Sequence, residues 1–248
     1  MQPKVSIITV CKNSEKTIER TIKSVLNQTY RNIEYIVIDG VSTDRTLEIL
    51  NSYASQFGEN LKILSEPDNG IYDAMNKGIA LASGEIIGII NSDDWYEATA
   101  VQLVADEYHK NNNAVYYGIL RCYAGDNEVM LKAVNYKYLH AENVGHPAYF
   151  VATSVYRNHG VFRLDYRYAS DYELMMRLIK KEVPFIQINQ IVANYSYGGT
   201  SSKLEIFTYE EYFKIRHEYG YLSKKGLMLR LLRNKLYFMF RNLPFLRN

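Results

Sequence analysis

In the first part of this chain, short apolar runs, each ending in polar residues, alternate with helical patterns, and this alternation limits the fold more than any other feature. Val5-Ser-Ile-Ile-Thr9, Ile33-Glu-Tyr-Ile-Val-Ile-Asp39, Leu61-Lys-Ile-Leu64 and Ile86 to Ile90 are β-branched, too short for helices, and too apolar for strands with one wet face. Between them Ile18, Ile22, Val25 and Leu26 recur at helical spacing, as do Leu47, Leu50 and Tyr53, and Asp73 to Ala82 reads as a further helix. Asn13 or Ser14 is the expected N-cap of the first helix, and Ser42 or Thr43 that of the second. Such alternation predicts right-handed βαβ units on a parallel sheet. The carboxyl ends of its strands then lie on one edge, where open α/β sheets place their ligands. Thr9, Asp39, Asp93 and Asp94 are thereby expected in one crevice.

The fourth run breaks into Asn91-Ser-Asp-Asp94. Two adjacent carboxylates repel unless a positive group sits beside them. A hard divalent cation, Mg²⁺ or Mn²⁺, shared with substrate phosphates is one answer; a solvated turn with an Asp capping the next helix is the other. No G-x-G-x-x-G and no P-loop follows the first strand, which excludes the usual dinucleotide and P-loop ways of holding phosphate. A cation on carboxylates would hold a diphosphate instead.

Further along, a helix is expected from Ala98 to His109, and Val115–Leu120 with Glu128–Lys132 reads as an antiparallel pair around a turn at 124–127. Ala148–Ala152 follows Gly145-His146-Pro147, and Ser170 or Asp171 opens a helix with Leu174, Met175, Leu178 and Ile179 on its apolar side. Phe185–Ile188 and Ile191–Tyr197 read as two short strands, ending at Gly198-Gly-Thr-Ser-Ser202, either a loop closing over a donor or a plain turn. The remainder reads as two helical segments broken near Gly220 and Gly226. No acid follows Glu218, while seven Lys and Arg from Lys224 to Arg247 give the tail +7 against a net +2 for the chain. Leu227, Leu229, Leu231, Leu232, Leu236, Phe238 and Phe240 interleave with those charges. Two readings follow: a basic amphipathic helix on an anionic membrane surface through 224–247, or a helix packed on the catalytic domain or on a homodimer partner. Nucleic acid is not expected, because no binding module accompanies the basic segment. Two cysteines without metal spacing, no signal-peptide pattern and no long apolar span predict a cytoplasmic protein, peripheral on the inner face of the membrane under the first reading.

Val5-Ser-Ile-Ile-Thr-Val-Cys-Lys-Asn13, Ser24-Val-Leu-Asn-Gln-Thr-Tyr30, Glu34-Tyr-Ile-Val-Ile-Asp-Gly40, Ser42-Thr-Asp44 and Asn91-Ser-Asp-Asp94 together resemble glycosyltransferase family two over roughly residues 3 to 200. Ile71-Tyr-Asp-Ala-Met-Asn-Lys-Gly78 further resembles its bacterial exopolysaccharide, capsule and lipopolysaccharide members. The resemblance implies an α/β fold of GT-A type, with a Rossmann-like, mostly parallel sheet flanked by helices. It divides the chain into a catalytic domain, 1–203, with a nucleotide-sugar half (1–97) and an acceptor-side half (98–203), and a helical tail, 204–248. It also implies a nucleotide-sugar donor, most simply a UDP-sugar, a saccharide or lipid-linked acceptor, a divalent cation, and inversion at the anomeric carbon. By the same resemblance Thr9, Asn13 and Asp39 meet the base and ribose, and Asp68, Asn69, Gly70 and Asp73 lie near the ribose, phosphates or sugar. Asn91 and Asp93 stand at the donor, Asp94 and Asp93 are the metal ligands, with Asp94 preferred, His146 is on the acceptor side, and Asp171 is the general base. Asn91 stands where the family's motif carries an acid. Read without the resemblance, Asp171 is an ordinary N-cap. A processive synthase is disfavoured, since there is no Q-x-x-R-W motif and no spanning helix. A non-catalytic nucleotide-sugar binder and a sugar nucleotidyltransferase are the alternatives.

Overall fold

The structure is a computed structural model that describes residues 2–140, 145–198 and 205–241. The four apolar runs are strands β1 (Val5–Cys11), β2 (Ile33–Asp39), β3 (Leu61–Ser65) and β4 (Ile86–Ile89), parallel in the order β3-β2-β1-β4. Every residue of β1 and β4 is buried, as strands covered on both faces require. The connections are helices α1 (Ile18–Leu26), α2 (Thr46–Ser52) with the one-turn α3 (Ala54–Phe57), and α4 (Ile71–Leu81). Cys11 stands opposite Asp39, and Asp39 opposite Ser65, so the strand ends form one edge. At the other edge the fully buried Glu34 accepts hydrogen bonds from Ser6 Oγ, Ser83 N, Ser83 Oγ and Gly84 N and pairs with Lys62 at 3.0 Å. Burial alone would raise its pKa. These donors outweigh burial and hold the carboxyl well below its usual range.

The expected N-caps are absent. Neither α1 nor α2 has a side-chain cap on its capping residue; the Ser14 carbonyl receives Thr17 N and Ile18 N, and Asp44 Oδ1 receives Thr46 N. Asn13, at φ 51°, instead accepts Thr43 N through Oδ1, while its own N–H goes to Ser42 Oγ. The small polar residues tie the β1 and β2 loops to each other, because two loops meeting at a sheet edge leave backbone donors that no ladder satisfies.

After β4 the sheet becomes mixed. The order continues β4-β8-β6-β9-β5, with β5 (Trp95–Tyr96), β6 (Val115–Ala124), β8 (Tyr149–Ala152) and β9 (Phe185–Ser196), and β7 (Asn127–Lys132) pairs with β6 off this path. β8 runs antiparallel to β4 and β6, β9 parallel to β6, and β5 antiparallel to β9. The two short strands expected after residue 184 are one strand, β9, with register shifts near Ile119 of its neighbour. β5 and a short helix α6 (Thr153–His159) lie outside the sequence expectation. Helices α5 (Ala100–Tyr108) and α7 (Ser170–Lys180) stand where the periodicity places them.

The last segment forms α8 (Glu205–Glu218) and α9 (Lys224–Arg241). The break is at Gly220, φ 80°; Gly226 lies within α9. α8 docks on α7 through Tyr212 against Tyr172 (ring centroids 4.7 Å) and Arg216 Nε to Tyr172 Oη (3.0 Å). The boundary expected at 203 thus falls just before an element bonded to the catalytic domain. Among the described residues no helix is long and apolar enough to cross a membrane. The loop expected from Gly199 to Ser202 and the tail cation Arg247 lie outside the described residues.

Candidate active site

A cavity of about 520 Å³ opens where the parallel edge meets the second half of the sheet. One wall carries Gly70, Tyr72, Met75 and Asn91; the others carry Leu120, Cys122, Met130 and Lys132, then Gly145, His146 and Pro147, then Arg167, Tyr168 and Asp171, with Tyr195, Tyr197, Thr208 and Tyr212. Gly70, Asn91, His146 and Asp171 are thereby brought to one space from four separate segments. Asp171 is the second residue of α7, and its Oδ1 accepts from Tyr72 Oη at 2.8 Å. The N-cap residue of α7 is Ala169, without a side-chain cap, so the ordinary capping reading of Asp171 is not what the side chain does. Burial, then the charge and hydrogen bond of Asp171, push the Tyr72 hydroxyl well above its usual pKa, which keeps it a donor.

His146 is 9 % exposed, and its Nε2 has no hydrogen-bond partner among the described residues. Burial lowers its pKa to about 4, with Asp171 opposing, so the ring is neutral at pH 7.

The Asn91–Asp94 turn sits beside the cavity. Asp94 is fully buried, and its Oδ1 accepts Ser196 N at 2.9 Å while Oδ2 accepts Asn91 Nδ2 at 3.3 Å. Asp93 is less buried. Burial raises the pKa of both, and for Asp94 the neighbouring Asp93 charge adds to it. A pair held in this way favours the arrival of a cation. Asp94 ties the motif to β9, and Asp93 is the more exposed of the two carboxylates. Asn91 Oδ1 is buried without a hydrogen-bond partner among the described residues, an acceptor left for an incoming cation or donor group. Asp93, the Asn91 amide oxygen and the oxygens of a diphosphate form a donor set that fits Mg²⁺ or Mn²⁺, which are held by one or two carboxylates plus phosphates. Among the described residues no group of three or more His, Cys, Asp or Glu could hold a metal by itself.

Arg20 is the residue the sequence reading missed. Its guanidinium donates to the Asp93 carbonyl (2.8 Å) and Ser196 Oγ (2.9 Å) and lies 3.7 Å from the Trp95 ring centroid, placing a fixed cation beside the carboxylate pair. Its only sequence signal was a charged residue on an otherwise amphipathic helix.

Asp39 lies at the end of β2, fully buried. Burial alone would raise its pKa, but bonds from Ser42 Oγ, Ser42 N, Ser65 Oγ and Cys11 Sγ lower it on balance. The Thr9 side chain is fully buried as well, and its Oγ1 accepts from Tyr35 Oη at 3.1 Å. Residues 68–73 form the entry to α4, where Asp68 Oδ1 accepts Gly70 N and Asp73 Oδ2 accepts Asn69 N. Gly70, at φ 118°, needs the freedom of glycine there. Asp68 also lies against the β2 loop, since a Cβ on Gly40 would come 2.7 Å from Asp68 Oδ2. Thr9, Asn13, Asp39, Asp68, Asn69, Asp73, Asp93 and Asp94 are not part of the cavity wall.

Residues 6–186 match the family described as Glycosyl transferase family 2. The PGL/p-HBAD biosynthesis glycosyltransferase of Mycobacterium bovis is 29 % identical over 216 residues, covering 82 % of this chain and 80 % of that protein. Chondroitin synthase of Escherichia coli is 32 % identical over 235 residues, 91 % of this chain and 33 % of the synthase. Among solved structures, S. aureus TarS 1–349 in complex with UDP-GlcNAc superposes with a TM-score of 0.73 at 18 % identity, covering 96 % of this chain and 74 % of that one. The mannosyltransferase PcManGT from Pyrobaculum calidifontis, in complex with GDP-Man and Mn²⁺, gives 0.68 at 17 %, covering 96 % and 70 %. These two likenesses show the fold.

Proposed function

The chain belongs to glycosyl transferase family 2 and is a glycosyltransferase, and on that premise we propose that it moves one sugar from a nucleoside-diphosphate donor to a saccharide or lipid-linked acceptor with inversion. The observation that carries this reading is the Tyr72–Asp171 hydrogen bond, which supports a carboxylate in the wall of a cavity shared with Gly70 and Asn91. In a single displacement Asp171 takes the proton of the acceptor hydroxyl while that oxygen bonds to the anomeric carbon. The bond from the anomeric carbon to the phosphate oxygen breaks, and the nucleoside diphosphate leaves. Asp93 and the Asn91 amide oxygen would hold the divalent cation, which when bound neutralises charge on the leaving diphosphate. Asp39 meets the nucleobase, by exchanging one of its present hydroxyl donors for a base N–H, and Asn13 shapes that loop. Neutral His146 offers Nε2 to an acceptor hydroxyl. A UDP-sugar is the first donor to try, and bacterial surface polysaccharide or glycolipid the first acceptor class.

The test is release of nucleoside diphosphate from UDP-GlcNAc, other UDP-sugars, GDP-Man and dTDP-sugars with Mg²⁺ or Mn²⁺, for the wild type and Asp171→Asn. Asp171→Asn lowers turnover by about 10² to 10⁴ while donor affinity stays within about twofold. Full-rate turnover by the variant removes the base assignment, and wild-type inertness with every donor removes the transferase reading.

A second proposal concerns α9. Met228, Leu229, Leu232, Leu236 and Met239 are exposed at helical spacing, while Asn234 is buried. Lys224, Lys225, Arg233 and Lys235 are exposed among them. An outward apolar stripe with only cations around it supports contact with an anionic membrane surface better than pairing with a second copy, whose like charges would repel it.

A further inference from the structure

α8 lies beyond the residues matched by the family, yet it is bonded to the segment that carries the base. Thr208, Glu211, Tyr212, Ile215 and Arg216 recur at helical spacing along it, and Tyr219 follows one turn later. Ile215 is fully buried. Thr208 and Tyr212 are in the cavity wall. Glu211 does something different: Oε1 accepts Arg167 N at 2.9 Å, and Oε2 accepts Tyr168 N at 2.8 Å and Ala169 N at 2.9 Å. Those three donors form the turn that leads into α7, whose capping residue has no side-chain acceptor of its own. One carboxylate, reaching back across 42 to 44 residues of sequence, thus holds the backbone donors of the turn up to the N-cap residue itself and places a negative charge near a helix N-terminus. The same turn delivers Arg167 and Tyr168 to the cavity wall, and Asp171 begins two residues later.

We infer that α8 is part of the catalytic apparatus, with Glu211 the positioning residue for Asp171 and for the Arg167–Tyr168 wall. The inference rests on the reading of Asp171 as the base. Losing all three acceptor contacts frees the turn and lets Asp171 drift from the acceptor hydroxyl. Displacements of about an ångström cost on the order of 10- to 100-fold in rate. The donor edge, built from β1, β2 and α4, is untouched.

The experiment compares full-length Glu211→Ala, Glu211→Gln and Tyr219→Phe. Tyr219, past the end of α8 and outside the cavity wall, donates to Glu173 Oε1 at 2.5 Å and serves as a control that weakens the same docking without touching the turn. Turnover of the best donor, donor affinity by calorimetry with UDP and Mn²⁺, and amide hydrogen exchange at 167–172 are measured. Glu211→Ala is expected to lower kcat by about 10- to 100-fold with UDP affinity within about twofold and with protection lost at 167–169. Glu211→Gln, which keeps one carbonyl acceptor, falls between it and the wild type, and Tyr219→Phe keeps kcat while losing stability. An unchanged kcat in Glu211→Ala, or equal losses of kcat in Glu211→Ala and Tyr219→Phe, overturns the inference. So does unchanged protection at 167–169, a result that can be read even if no donor is turned over. Inertness of the wild type would by contrast count against the transferase reading itself.

Discussion

The His146 ring makes a pH prediction that follows from its place in the cavity wall. Its folded pKa of about 4 lies below the unfolded value of roughly 6.5. As pH falls from about 6.5, the unfolded chain takes up the proton first, so the fold loses stability down to about pH 4 and no further from this residue. The full loss is about 3 kcal/mol. His146→Asn removes that slope, so denaturant midpoints of wild type and variant should diverge between pH 7 and 4.5; parallel curves would show the ring to be solvated. At this scale residue types were legible and their partners were not. Asp171 and His146 could be placed by motif, and the cavity does bring them together. Which of Asp93 and Asp94 is the more buried was not legible, because it depends on Ser196, about a hundred residues away, turning its N–H to Asp94. The partner of Thr9 was hidden for a related reason: a residue near a strand end can turn to either side of the sheet, and its bond to Tyr35 is made across strands.

Among the elements, α4 links the fold to Asp171, the proposed base. It lies on β1 so closely that a Cβ at Gly78 would approach Ile8 Cγ2 to 2.5 Å, and Ile8 is fully buried and β-branched, with little rotamer freedom to retreat. Gly78→Ala gains helix propensity but pushes α4 outward, for a net loss of about 1 to 2 kcal/mol. Because Tyr72 rides on α4 and holds Asp171, turnover should fall along with the melting temperature; a variant at least as stable as wild type would show that α4 has slack. The β1–α1–β2 alternation and α4 were legible because burial on two faces leaves an unmistakable apolar signature. α8 was legible as a helix but its docking was not: the docking face is Thr, Glu, Tyr, Ile and Arg, whose pattern reads as polar although each of Glu211, Tyr212 and Arg216 has a defined partner. β5 is two residues long and exists only because β9 pairs with it.

For the molecule as a whole, charge and apolar exposure are segregated at one end. No acidic residue follows Glu218, and α9 turns Met228, Leu229, Leu232, Leu236 and Met239 outward with exposures between 40 % and 65 %. Asn234 and Phe238 instead line the groove against Tyr209 and Phe213 of α8, so the helix is held on the protein by one side and presents the other. Since α8 also lines the cavity and holds the turn before Asp171, a surface that engages α9 would lie near the cavity, an arrangement that suits the proposed lipid-linked acceptor. Each exposed Lys or Arg close to an anionic bilayer contributes about 1 kcal/mol, and the apolar stripe adds to this as it enters the headgroup region. The full chain should therefore float with vesicles containing anionic lipid at low salt and stay behind with zwitterionic ones. High salt should weaken the charged part of that binding. Leu229→Ser with Leu232→Ser and Leu236→Ser should abolish flotation while leaving hydrolysis of a soluble nucleotide sugar intact. A wild-type chain that remains in the soluble fraction at low salt, with a concentration-dependent dimer in its place, would assign the stripe to a second copy of the chain.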